Sequence, residues 1–199
     1  MAARRVSRLV AQAWIELKAD DPEAVSALAV ARANLPVGPS LRGLRRLRLV
    51  EIAGKLPARA KIEELLHQST QFYNPHKERC AVRLAVDEPA PLRAGERAVL
   101  VVEREDARRS AAERWWRHET GEVVEVREGA AWAVTFDDGG ADALMDLALV
   151  RGRRHGLLCN PHSQDCRVAG ETVPLPWLGE APPSVPRRRA RPRATRSRE

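Results

Sequence analysis

Aromatic residues, cysteines and long apolar runs are all scarce in this 199-residue sequence. Aromatic residues make up 4% of the chain, although five of the eight are tryptophans. Because no stretch approaches the roughly 18 uncharged apolar residues of a membrane-spanning helix, we expect no membrane span. Three cysteines are too few for a disulfide-rich secreted scaffold, and the chain start lacks the pattern of a secretory signal. We therefore expect a protein of the reducing cytoplasm.

The formal net charge of +7 is unevenly distributed along the chain. Residues 1–60 carry a balance of +6, residues 61–185 of −5, and residues 186–199 of +6. An Arg-rich tail attracts polyanions because it neutralises phosphates and releases counterions, whereas an acidic middle repels the same partner. We expect residues 181–199 to form a disordered tail. Its candidate nucleic-acid contacts are Arg187, Arg188, Arg189, Arg191 and Arg193.

The first seventy residues are expected to be mostly helical. Apolar residues at helical spacing predict an amphipathic helix over 4–18, and Asp21-Pro22-Glu23 has the composition of a second helix start. Ser40 can cap a further helix from Leu41, although residues 46–52 also fit a strand. Pro57 opens another helix, which carries the apolar residues Ile62, Leu65 and Leu66.

The pattern then changes to short strands. Residues 80–86 alternate apolar and polar side chains, as a half-buried strand does. Further strands are predicted at 98–103, 122–127 and 132–136, the last two joined by a tight turn at Glu128-Gly129. Residues 104–118 fit a loop or a short helix, and residues 144–150 form a last short apolar element.

The stretch from Trp115 to Gly139 has a distinctive order of residues. An aromatic pair at Trp115-Trp116 is followed by Gly121-Glu-Val, a predicted hairpin, and Trp132-Ala-Val-Thr-Phe-Asp-Asp-Gly139. This order resembles the Tudor-like and related SH3-like small β-barrels over about residues 93–152. The resemblance implies an aromatic cage that binds a methylated cation. By position, the implied cage members are Trp116, Phe136 and Asp138.

The predicted barrel is acidic. Residues 87–148 hold fifteen acidic and eight basic side chains, so this part of the chain suits a cationic peptide better than a phosphate backbone. One such peptide is the chain's own tail. The alternatives are that the charges are a solvated surface and that Trp116, Trp132 and Phe136 are core. The candidate binding residues are Trp115, Trp116, Trp132, Phe136, Asp137 and Asp138.

One internal repeat contains all three cysteines. Residues 72–82 and 158–168 share Asn-Pro-His followed by three residues and Cys. In one interpretation, the Asn and Pro residues form a structural corner that is used twice. In a second, the two corners meet in space and four thiolate and imidazole groups hold a tetrahedral Zn²⁺. In a third, a histidine activates a cysteine for catalysis. The candidate ligands are His76, Cys80, Cys159, His162 and Cys166.

These observations predict an α+β chain. Its parts are a helical region at 1–70, a corner with a strand and linker at 71–92, a Tudor-like or SH3-like barrel at 93–152, a second corner with a closing segment at 153–180, and the tail. We expect a non-catalytic adaptor or accessory subunit. It would bind a protein partner through the barrel and nucleic acid through the tail. A zinc-stabilised structural subunit and a Cys/His enzyme are the alternatives, and the leading interpretation needs no cofactor.

Overall fold

The computed structural model describes residues 9–105, 107–137, 141–170 and 172–179 of the chain. Helices and strands alternate along these residues. The strands are β1 (Leu9–Leu17), β2 (Leu41–Gly54), β3 (Glu78–Arg83), β4 (Arg97–Glu103), β5 (Val124–Phe136) and β6 (Gln164–Val168). The helices are α1 (Pro22–Asn34), α2 (Arg59–Gln68), α3 (Ser110–Thr120) and α4 (Ala141–Ala148). The predicted disordered tail at 181–199 lies outside the described residues.

All the named strands belong to one open sheet, in the order β3-β1-β2-β5-β4-β6. Every neighbouring pair is antiparallel. The predictions of a helical N-terminal region and of a small closed barrel at 93–152 are therefore wrong. A barrel requires its first and last strands to pair, whereas β3 and β6 are the two opposite edges of this sheet. The resemblance to Tudor-like domains does not extend to the fold.

The predicted helix over 4–18 is also wrong where the structure describes it, because residues 9–17 form β1. Strand β1 lies inside the sheet, and residues 11–15 are all buried. A strand that is buried on both faces shows no apolar–polar alternation, so helical spacing can arise by chance. The starts of α1 and α2 agree with the sequence. The Asp21 carboxylate caps α1 by accepting hydrogen bonds from the backbone N–H groups of Glu23 and Ala24.

Strand β5 runs without a break through the predicted turn at Glu128-Gly129. Gly129 is needed for close packing rather than for a turn. A Cβ atom at this position would lie 2.8 Å from Leu178 Cδ2 and 3.1 Å from both Leu100 Cδ1 and the Val101 carbonyl oxygen. In a sequence, a glycine at a turn and a glycine in a crowded strand look alike.

The two faces of the sheet are covered differently. One face carries two separate helix clusters, α1 with α4 and α2 with α3. The other face is covered by the segments that follow β3 and β6. The buried side chains of Val173, Trp177 and Leu178 and the half-buried Leu92 pack there against Leu100 and other strand residues. The two helix clusters therefore lie on one face of the sheet, and the cluster formed by these segments lies on the other.

The two halves of the chain have the same architecture. Each consists of strand, helix, strand, helix, an Asn-Pro-His corner and an edge strand. The strand pairing repeats with them, because Trp14 pairs with both Leu49 and Ala81. In the second half, Leu100 is the equivalent of Trp14, 86 residues later, and it pairs with Ala131 and Arg167. Ala131 lies 82 residues after Leu49, and Arg167 lies 86 residues after Ala81. A pseudo-twofold axis thus passes between the paired residues Arg48 and Ala130 of the central strands.

The duplication therefore extends far beyond the eleven-residue motif in the sequence. The pseudo-twofold axis exchanges α1 with α3 and α2 with α4, and so exchanges the two helix clusters. It also exchanges the edge strands β3 and β6, which mirror each other across the sheet but do not pair. Among the described helices, none combines the length and the apolar character needed to cross a membrane.

Candidate functional site

The predicted cage residues do not surround one cavity. Trp115 and Trp116 lie on α3 and pack edge-on against Phe72, with ring centroids 5.6 and 6.1 Å away. Trp132 lies on β5 in the other helix cluster, with the Arg46 guanidinium carbon 5.9 Å from its ring centroid. Trp116 and Trp132 are both buried. The two groups of aromatic side chains thus belong to different clusters of the core.

The remaining predicted barrel residues do not complete a cage. Phe136 is half-buried and packs against the cluster that contains Trp132. The Asp137 carboxylate pairs with the Arg42 guanidinium, which holds the pKa of Asp137 below its ordinary value through their hydrogen bond. Asp138 and the five tail arginines lie outside the described residues. The expected peptide-binding barrel is therefore not formed.

The two Asn-Pro-His motifs have the same backbone geometry. The side-chain oxygen Oδ1 of Asn74 accepts a hydrogen bond of 3.0 Å from His76 N. The backbone carbonyl oxygen of Asn74 accepts one of 2.8 Å from Glu78 N. The Glu78 carboxylate accepts in return from Asn74 N, at 2.6 Å. The second motif repeats all three bonds, at 3.0, 2.8 and 2.8 Å, through Asn160, His162 and Gln164. This geometry fits the interpretation of a structural corner used twice, each leading into an edge strand.

The structure keeps the predicted metal ligands of the first motif apart from those of the second. Cys80 lies on β3 and Cys166 on β6, and five strand spacings of about 4.8 Å separate these edges. The nearby His76 and His162 side chains are exposed. Within the described part of the chain, no three His, Cys, Asp or Glu side chains are grouped as metal ligands would be. One zinc ion therefore cannot bridge the two motifs.

The cysteines differ in their surroundings. Burial raises the pKa of Cys80 to about 12, so this thiol stays protonated at neutral pH and is a weak nucleophile. Cys159 is fully buried in the cluster of α1 and α4, and Cys166 packs against the same cluster. The second motif thus brings two of the five predicted ligands together.

A buried polar network on the opposite face was not predicted. Glu51 of β2 accepts hydrogen bonds from Gln12 Nε2 at 2.7 Å, Trp177 N at 2.5 Å and Leu178 N at 2.9 Å. Gln12 Oε1 in turn accepts from Arg83 Nη1 at 3.0 Å. Burial raises the pKa of Glu51, although these hydrogen bonds oppose the shift. The network fastens the segment 172–179 to the sheet.

The sequence carries a weak signal for this network. Gln12 and Glu51 each interrupt an otherwise apolar run, Val10-Ala-Gln-Ala-Trp14 and Leu49-Val-Glu-Ile-Ala53. A polar side chain inside a buried strand needs a hydrogen-bond partner. For Glu51, these partners include the backbone N–H groups of Trp177 and Leu178, more than 120 residues away along the chain. Sequence spacing cannot reveal such a contact.

A cavity of about 300 Å³ lies beside this network at one end of the sheet. Val10 and Gly179 both contribute to its wall, so the first and last described segments of the chain meet there. Residues 1–8 precede this end of β1 and residues 180–199 follow Gly179. The other lining residues are Glu51, Ala53, Glu125, Arg127 and Pro176.

Comparison with known proteins adds no relative to this description. The chain matches no family model, no curated protein and no solved structure.

Proposed function

We propose that this protein is a non-catalytic nucleic-acid-binding protein whose two Arg-rich terminal segments contact phosphates from one end of a rigid body. The observation that carries the proposal is the shared position of Val10 and Gly179 on one cavity. Residues 1–8 and 180–199 are attached at these two points. Both charged segments are therefore attached to the same end of the sheet.

The charge distribution supports this assignment. The two terminal segments contain ten of the 34 basic residues and two of the 27 acidic residues, a balance of +8. Residues 9–179 retain 24 basic and 25 acidic residues, a balance of −1. The entire net positive charge thus lies in Arg4, Arg5, Arg8 and the seven tail arginines. The body between them has no net attraction for a polyanion.

Arginine is suited to this role because its planar guanidinium binds phosphate oxygens through two parallel hydrogen bonds. Contacts to phosphate fix a protein on nucleic acid without reading the base sequence. We therefore expect affinity that depends steeply on salt and weakly on sequence. A cytoplasmic location is part of the proposal, since all three cysteines are free.

The test measures oligonucleotide binding to the full chain by fluorescence anisotropy between 50 and 200 mM salt, a range of about fourfold. One variant carries Arg→Gln changes at Arg187, Arg188, Arg189 and Arg191. Its matched control carries the same change at four exposed arginines of the body, Arg114, Arg117, Arg153 and Arg154. Both variants remove the same formal charge.

For double-stranded DNA, the slope of log K against log salt changes by about 0.9 for each phosphate that the protein no longer neutralises. We expect the tail variant to flatten this slope by up to about 3.6 and the body variant by less than about 1. A third variant, R4Q/R5Q/R8Q, is expected to flatten it by up to about 2.7, because it removes three further charges that we propose contact phosphates. Equal slopes for the tail and body variants would overturn the proposal.

A further inference from the structure

The second Asn-Pro-His corner contains a pair of thiols that the nucleic-acid proposal does not use. Cys159 immediately precedes the corner and is completely buried in the cluster of α1 and α4. Cys166 follows the corner on β6, is partly exposed, and packs against the same cluster. The two side chains thus meet in one packed cluster, Cys159 from inside it and Cys166 from its edge. Both cysteines are free.

Backbone hydrogen bonds fix the two cysteines on either side of the turn. The Cys159 N–H donates to the Ala148 carbonyl at 2.8 Å, which ties it to the end of α4. Cys166 is paired with Val101 in the ladder between β4 and β6. Gln164 N donates to the Asn160 carbonyl at 2.8 Å and closes the turn between them. Backbone hydrogen bonds therefore anchor both ends of the turn that carries the two cysteines.

We propose that Cys159 and Cys166 are a site of reversible oxidation, at which a peroxide converts the two thiols into an intramolecular disulfide. The partly exposed Cys166 is the sulfur that meets the oxidant, and the buried Cys159 is the sulfur that resolves it. This assignment follows from access, because a peroxide reaches Cys166 from solvent and cannot reach Cys159 directly.

The electrostatic surroundings agree with these roles. The hydrogen bond from the Cys159 thiol, together with the charge of Arg151, lowers the pKa of Cys166. Conversely, the pKa of Cys159 is raised by its contact with Cys166 and by burial. A thiolate is the nucleophilic form of cysteine, so Cys166 is the better attacking group.

The reaction balances with a peroxide as the only oxidant. The Cys166 thiolate attacks one peroxide oxygen, an S–O bond forms as the O–O bond breaks, and the leaving hydroxide takes up a proton to become water. The Cys159 sulfur then attacks the sulfenic sulfur of Cys166. An S–S bond forms, the S–O bond breaks, and the Cys159 proton leaves with the departing hydroxide as a second water. Two electrons pass from the sulfurs to the peroxide, and a dithiol reductant returns them.

The first half of the chain provides an internal control. Positions 159 and 166 correspond, at the 86-residue shift, to Tyr73 and Cys80. Cys80 is thus the equivalent of Cys166, and Tyr73 stands where the second half has Cys159. Cys80 has no resolving thiol at its own corner, so it is expected to stay reduced or to oxidise without forming an internal disulfide.

The experiment treats the purified full chain with hydrogen peroxide and counts free thiols after unfolding. We expect about two of the three thiols to disappear and to return after addition of dithiothreitol. Trypsin cleaves after Arg154 and Arg167, which leaves both cysteines in the peptide 155–167. That peptide should become about 2 Da lighter, while the peptide 80–83 keeps its thiol.

Three variants make the test specific. C80S should lose both remaining thiols as the unmodified chain does, whereas C166S and C159S should form no internal disulfide. Because Cys159 is buried, C166S is the decisive variant, and circular dichroism establishes that each variant is folded. The proposal is overturned if peroxide links separate chains, if Cys80 is required, or if peptide 155–167 gains oxygen atoms instead of losing about 2 Da.

Discussion

Arg46 and Glu128 occupy equivalent positions in the two halves of the chain and carry opposite charges. Each pairs with the N-cap residue that precedes the first helix of its own half. Arg46 Nη1 lies 3.6 Å from Asp21 Oδ2, and Arg109 Nε lies 3.1 Å from Glu128 Oε2. The same contact between strand and helix start is thus made twice with its charges exchanged. Asp21 also caps α1, whereas Arg109 makes no side-chain cap to α3.

Exchanging the charges of the second pair should restore the attraction between strand and helix start in the orientation of the first pair, at the cost of the contact between Glu128 and Arg48 at 3.6 Å. In the double variant R109D/E128R, an aspartate would cap α3 and still face an arginine. Each single variant places like charges together. We expect the double variant to be more stable than either single variant by about 1 kcal/mol, measured by urea unfolding. Strictly additive effects of the two substitutions would contradict this pairing.

A methyl group at Gly129 should destabilise the fold. The added Cβ would overlap Leu178 and approach the Val101 carbonyl oxygen, so the C-terminal segment must shift. We expect Gly129→Ala to lower the free energy of unfolding by about 1–3 kcal/mol. Gly43 is the control, since a Cβ there would lie 3.7 Å from its nearest neighbour. Gly43→Ala should be neutral or stabilising by about 0.5 kcal/mol, and a similar destabilisation in both variants would count against this account.

Stability should respond to the titration of Glu51. Burial raises the pKa of this carboxyl above its ordinary value of 4.5. The folded chain therefore holds the Glu51 proton at pH values where the unfolded chain has released it. The resulting stabilisation is complete below the ordinary pKa and is lost as the pH rises through the raised value. As the pH rises from the ordinary pKa through the raised value, the free energy of unfolding of the unmodified chain should fall relative to that of the Glu51→Gln variant. Parallel stability curves for the two proteins would be inconsistent with a raised pKa.

The two corners should respond alike to removal of their asparagine side chains. Each Asn side chain accepts one backbone hydrogen bond of 3.0 Å from the His two residues later. We expect Asn74→Ala and Asn160→Ala each to cost about 1 kcal/mol in thermal or urea unfolding. The exposed His76 and His162 should tolerate alanine within about 0.5 kcal/mol. A much larger effect at either histidine would indicate that it has a role beyond the corner.

The sequence predicts several local features correctly. The start of α1 is specified by the Asp21 cap and the following proline, which act over a few residues. Strand β4 and the start of α2 are likewise found from local patterns. The Asn-Pro-His corners are recognisable because a tight backbone turn restricts which residues fit. Such features are encoded within one segment of the chain.

The sheet and the candidate site depend on distant contacts. Residues 11–15 are buried on both faces because β1 lies between β2 and β3, which no local pattern reveals. The duplication is readable only at the corners because a buried strand accepts many apolar residues at each position. Val10 and Gly179 meet only after the whole sheet has formed. The shared attachment point of the two terminal segments was therefore not predictable.

The fusion of two similar halves in one polypeptide allows each half to differ from the other. The buried network of Gln12, Glu51 and Arg83 has Ala98, Ala133 and Ala169 at the corresponding positions of the second half. A symmetric dimer of identical halves would carry every such group twice. Among its described residues, this chain instead carries the buried network and the dithiol once each, so its two halves differ chemically although they share a fold.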